Sequence, residues 1–92
     1  MKALQNILFG VKLREVVGTT KQNIANIQID SRKVSKDAVF VAIKGGKSDG
    51  HAFIDTAIEK GATVIVCEQK PAVLNGSVTY IIVENAHVHF LQ

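Results

Sequence analysis

Residues 38–67 read AVFVAIKGGKSDGHAFIDTAIEKGATVIVC, and this stretch decides the fold. AVFVAI at 38–43 and ATVIVC at 62–67 are continuous β-favouring apolar runs, the pattern of strands covered on both faces. Between them Phe53, Ile54, Ala57 and Ile58 fall on one helical stripe, with Asp49 available as an N-cap and Gly61 as a C-terminal stop. Strand, helix and strand of these lengths make a βαβ crossover. Such a unit sets its two strands parallel and puts the loop between strand and helix at their carboxyl end, where ligands of open α/β sheets bind.

Working outward, VTYIIV at 78–83 predicts a further strand, reached through a loop over 71–77 whose turn signal is Asn75-Gly76. On the other side, Ile24, Ile27 and Ile29 alternate partially over 23–30 and predict another strand. Residues 11–17 read as an irregular edge or a short strand. Leu4, Ile7 and Leu8, followed by Gly10, predict a short helix over 2–9. Ala86, Val88, Phe90 and Leu91 suggest the start of a helix that reaches Gln92 without a cap. The expected fold class is α/β: a small two-layer or three-layer domain with a mixed or parallel sheet and one βαβ unit.

Length and composition bound what such a domain does. Ninety-two residues make one small domain, and 47% apolar with 21% charged residues is the balance of a chain that folds. Eleven Lys and Arg against eight Asp and Glu give a net charge of +3, but the basic residues are scattered and there is no Trp, which disfavours a nucleic-acid partner. No apolar segment approaches the roughly 20 residues needed to span a bilayer, and the amino terminus lacks a cleavage pattern, so neither membrane insertion nor secretion is expected. Cys67 has no partner for an internal disulfide, and its neighbours Val64, Ile65 and Val66 mark it as a buried strand residue. A cytoplasmic monomer fits these features.

Gly45-Gly46-Lys47-Ser48 follows a strand and resembles the end of a G-x-x-x-x-G-K-[ST] phosphate loop, but the first glycine of that pattern falls on Val41. Asp49-Gly50 then stands where a helix should present free N–H groups to phosphate. A glycine-containing turn is the better reading, one whose amides, Lys47 and Ser48 can still meet a polar ligand. Asp30-Ser31-Arg32 ends a strand with three hydrogen-bonding side chains, which suit either a ligand or an Asp–Arg pair closing a turn. His51, early in the helix, reads as a capping or packing residue or as an acid–base group. His87 and His89 lack a third ligand, so no metal site is expected. No triad or carboxylate pair is present, and no catalytic residue is assigned. From the residues alone, the chain is a small α/β binding module.

Taken together, IDSRKV (29–34), VFVAIKG (39–45), SDGH-x-FI (48–54) and AI-x-x-GA (57–62) resemble the amino-terminal domain of the Mur ligases, in the same order and with the same gaps. These are ATP-dependent enzymes that add amino acids to a UDP-N-acetylmuramoyl carrier in peptidoglycan synthesis. The likeness spans residues 29–62 and is closest to the member that adds the third amino acid to UDP-MurNAc-L-Ala-D-Glu, ahead of the member that adds D-Ala-D-Ala. The resemblance implies that Ser31 and the backbone at Ile29 contact the UDP portion of the substrate, and that Gly46, Lys47 and Ser48 contact the same nucleotide. Asp30, Arg32, Asp49 and His51 would support them.

It also implies that residues 1–92 are one substrate-binding domain. ATP and Mg2+ would then be held by central and carboxyl-terminal domains absent here, and the piece alone would be inactive. Diaminopimelate is the expected third amino acid, with lysine the alternative. A stand-alone UDP-sugar-binding or interaction domain is the competing expectation. One departure stands out: where the family has a glycine before Asp in the turn leading to Phe40, this chain has Lys36-Asp37-Ala38.

Overall fold

Runs of β-branched residues form the centre of the molecule. The computed structural model describes residues 2–3, 13–42, 44–45 and 48–84, with 2–3, 44–45 and 48–49 given by their strand pairing. The strands are β1 (Lys2–Ala3), β2 (Leu13–Val17), β3 (Asn23–Ile24), β4 (Ile27–Gln28), β5 (Val39–Val41), β6 (Lys44–Gly45), β7 (Ser48–Asp49), β8 (Val64–Cys67) and β9 (Thr79–Val83). The helix α1 covers Ile54–Glu59. Among these residues the main sheet has five strands in the order β2-β9-β8-β5-β4. β4, β5, β8 and β9 run parallel, while β2 closes one edge antiparallel to β9. The α/β fold with a mixed sheet is therefore as expected, and β5–α1–β8 is the predicted βαβ unit.

The three central strands are buried on both faces, which is why their sequences are continuously apolar. Phe40, Ile65, Cys67, Tyr80 and Ile82 point to the face covered by Ile54 and Ala57 of α1. Val39, Val41, Val64, Val66, Ile81 and Val83 point to the other, where Ile24 and Ile27 pack. Burying a Val or Ile side chain fully contributes roughly 1.5–3 kcal/mol, so these strands supply most of the drive to fold. The tip of Tyr80 stays satisfied, its hydroxyl accepting the Asn75 N–H at 2.9 Å. Asn75 Oδ1 accepts the Ser77 N–H at 2.8 Å, the side-chain turn that Asn75-Gly76 announced.

Several expectations need correction. Lys2–Ala3, placed in a helix by apolar spacing, forms a strand paired antiparallel with Asn23–Ile24; the rest of that predicted helix lies outside the described residues, as does the one at the carboxyl end. The strand expected over 23–30 is two strands, because Ile24 pairs with Lys2 whereas Ile27 pairs with Val39 in the main sheet. Two partners in different sheets require the break at Ala25-Asn26.

The helix starts later than predicted. Asp49 sits in β7, Gly50–Phe53 forms a 3-10 turn, and the N-cap of α1 is Phe53, which makes no side-chain capping bond. Preceding the helix, Phe53 is out of phase with its stripe and 44% exposed. Gly61 does end the helix, at φ 115°. Its carbonyl accepts the Asp37 N–H at 3.0 Å. Asp37 itself, beside the position that lacks the family's glycine, takes φ 65°, a left-handed conformation that Asp tolerates better than most residues.

Candidate functional site

Parallel strands deliver their following loops to one edge. β4 is followed by the turn at 29–33, its neighbour β5 by residues 42–53, and β8 by residues 68–70. In register, Gln28 lies beside Phe40 and Phe40 beside Ile65, so the three loops leave the sheet at one edge in a stagger, β5 ending one residue and β8 two residues beyond the level of Gln28.

The first loop is a 3-10 turn, Ser31–Lys33, capped by Asp30. Asp30 Oδ1 accepts the Arg32 N–H at 2.9 Å, and the Arg32 guanidinium donates to Oδ1 at 3.1 Å and to Oδ2 at 2.9 Å. The Arg32 side-chain hydrogen bonds, then its backbone N–H, hold the Asp30 carboxyl down to about 2. The same pairing raises the Arg32 guanidinium above its ordinary value. Asp30 and Arg32 therefore satisfy each other and fix the turn. Ser31 is buried, its carbonyl accepts the Val34 N–H, and the turn packs against α1. Ile29, by contrast, is 49% exposed.

The second loop contains an antiparallel ribbon, with Lys44 paired to Asp49 and Gly45 to Ser48. Gly46 and Lys47 lie outside the described residues. Ser48 begins a strand and α1 opens six residues later, so this segment does not fit a phosphate loop, in which Ser or Thr opens the helix. No ATP chemistry is assigned to it. Among the described residues no three His, Cys, Asp or Glu side chains gather as a metal would require.

His51 joins the second loop to the third. Its Nε2 accepts the N–H of Glu68 at 3.1 Å and of Gln69 at 3.3 Å. Sequence reasoning read His51 as a capping or packing residue or an acid–base group, and the family resemblance made it a supporting residue, but no local signal reveals partners 17 and 18 positions away. On the far side of His51 an open groove of about 730 Å3 runs between α1 and the 68–78 crossover, lined by Ile54, Ile58, Pro71, Leu74 and Tyr80. It does not include Ser31. A strand-end hydroxyl such as that of Ser31 can both donate and accept a hydrogen bond.

The Mur ligase family, catalytic domain, matches residues 23–89. The chain belongs to the Mur ligase family. Curated relatives named UDP-N-acetylmuramoyl-L-alanyl-D-glutamate--2,6-diaminopimelate ligase include that of Parabacteroides distasonis, 42% identical over 90% of this chain and 17% of the relative. The enzyme of that name from Phocaeicola vulgatus is 45% identical over 85% of the chain and 16% of its own length. This Mur ligase chain thus spans about a sixth of the length of those relatives. Among solved structures, MurF from Acinetobacter baumannii superposes with a TM-score of 0.74 over 92% of this chain and 18% of that one, at 20% identity, a likeness of fold alone. MurF from Thermotoga maritima in complex with ADP is 36% identical over 66% of this chain and 14% of that one, with a TM-score of 0.59.

Proposed function

We propose that this chain is the UDP-substrate-binding domain of MurE, the ligase that adds a third amino acid, diaminopimelate, to UDP-MurNAc-L-Ala-D-Glu in the cytoplasm. The observation that carries the reading is the 42–45% identity to diaminopimelate ligases across 85–90% of the chain. The relatives' printed names give the two compounds that the whole enzyme joins. In the joining reaction, ATP phosphorylates the substrate carboxylate, and the amine of the incoming amino acid attacks the acyl phosphate, forming the amide and releasing phosphate. ATP and Mg2+ belong to parts of the ligase outside this chain.

The role of residues 1–92 is positional. Ser31 Oγ, with the backbone at Ile29, faces the uracil end, whose alternating donors and acceptors a hydroxyl and peptide groups can match. Gly46, Lys47 and Ser48 meet the same nucleotide, with Lys47 near the diphosphate. Anchoring one end of a long substrate raises the effective concentration of the other at the ATP. Support for this placement is the position of Ser31, a mostly buried polar residue in the turn that follows β4 at the carboxyl edge of the sheet.

The likeness to MurF of Thermotoga maritima, 36% identical, favours a second reading as the D-Ala-D-Ala-adding enzyme. Assaying the full-length protein with UDP-MurNAc-dipeptide and diaminopimelate, against UDP-MurNAc-tripeptide and D-Ala-D-Ala, separates the two. In the full-length enzyme Ser31→Ala should raise the KM for the UDP substrate several-fold, the scale of one or two hydrogen bonds, with little change in the KM for ATP. Equal effects on both would contradict the assigned role.

A further inference from the structure

The 44–49 ribbon is not part of the five-stranded sheet, and two-residue strands are marginal on their own, so something outside the ribbon must hold it in place. On its upstream side the Ala42 N–H donates to Val66 O of β8 at 2.8 Å. On its downstream side His51, two residues past β7, accepts from Glu68 and Gln69 just beyond the end of β8. Both ends of the loop are thus moored to one strand. Glu68 and Gln69 follow Cys67, the last residue of β8 paired in the sheet ladder, and their N–H groups need acceptors that the ladder no longer offers. In both contacts the imidazole Nε2 is the acceptor.

We propose that His51 is a positioning residue for the nucleotide grip: through Nε2 it fixes the downstream end of the 44–49 ribbon against the end of β8, at the sheet edge that also carries the Ser31 turn. The inference rests on the reading of Ser31 and residues 46–48 as the UDP-substrate site. It makes no use of proton transfer by His51. What matters is an acceptor of the right reach, and a Gln side chain supplies one, its Oε1 standing near the place of Nε2 with two lone pairs.

The test uses the full-length ligase with UDP-MurNAc-dipeptide, ATP and diaminopimelate. His51→Leu should raise the KM for the UDP substrate about tenfold, the scale of losing neutral hydrogen bonds, with kcat and the KM for ATP within about twofold. His51→Gln should restore most of the loss. A merely structural role would instead lower the yield of active enzyme, and with it kcat, while leaving KM alone. If His51→Leu does not give folded protein, His51→Asn, whose acceptor falls short of both amides, takes its place with the same expectation. The proposal is overturned if Ser31→Ala raises the UDP-substrate KM and His51→Leu does not, or if Gln is as damaging as Leu. If neither Ser31→Ala nor His51→Leu moves that KM, the grip reading itself falls and takes the proposal with it.

Discussion

Gly61 offers the sharpest test of how the helix is joined to the sheet. A Cβ built there would stand 2.8 Å from Lys36 Cα and 2.9 Å from Lys36 N, and the backbone at Gly61 has φ 115°, which L residues rarely adopt. Holding a side chain in such a conformation costs of order 1–3 kcal/mol. The atoms in the way are backbone, so no side chain can swing aside; the 35–37 turn must shift, which weakens the Asp37 N–H bond to Gly61 O, worth about 1 kcal/mol. Gly61→Ala should therefore lose about 3 kcal/mol, equivalent to roughly 12–24 °C in Tm for a domain of this size.

Urea unfolding of the chain, followed by far-ultraviolet circular dichroism and by the fluorescence of its single, buried Tyr80, measures this directly. Gly76→Ala is the internal comparison: nothing lies within 4 Å of a Cβ there and its φ is ordinary, so its stability should change by no more than about 0.5 kcal/mol. A loss below about 1 kcal/mol for Gly61→Ala would refute the close approach of the helix end to the 35–37 turn.

Two further predictions concern titration. The Asp30 carboxyl should titrate near 2 by carbon-detected NMR, and Arg32→Ala should return it toward 3.8; because the folded value is depressed, the stabilisation is present above 3.8 and is lost as pH falls through about 2. A midpoint near 3.8 in the unaltered chain would rule out the bidentate pair. Burial pushes the Cys67 thiol up from 9.0 to about 11, so thiolate-directed reagents should modify it far more slowly in folded than in urea-unfolded chain at neutral pH. With the folded value raised, its stabilisation is full below pH 9 and declines as pH rises toward 11; rapid labelling of the native chain at pH 7 would contradict that burial.

The strands were legible wherever both sheet faces are buried. Val39–Val41, Val64–Cys67 and Thr79–Val83 carry no polar interruption except Thr79 and the satisfied Tyr80, so propensity and burial agree. Legibility failed where one local pattern serves two partners. Residues 23–28 alternate like one strand but bond to two sheets, and nothing local marks the division at Ala25-Asn26. The helix was misjudged at its start because Asp49 is a good N-cap by type, while its backbone is claimed by pairing with Lys44. At the site, the adjacency of Asp30, Ser31 and Arg32 was enough to raise both of their possible uses, and the turn's closure by Asp30 and Arg32 is a local matter. The link from His51 to Glu68 and Gln69 depends on the whole βαβ unit having folded, which is why residue type alone left it open.

The antiparallel edge of the sheet bears on the order of folding. Among the described residues β2 pairs only with β9, joining Leu13–Val17 to Thr79–Val83 across more than sixty intervening residues. Contacts this distant in sequence form late, because the chain must first close the loop between them. During synthesis the half-exposed Leu13 and Val16 have no ladder partner until residue 83 has emerged from the ribosome. Over that interval β2 is an open strand edge, available to a neighbouring nascent chain, and arrest of translation anywhere before β9 would leave it so.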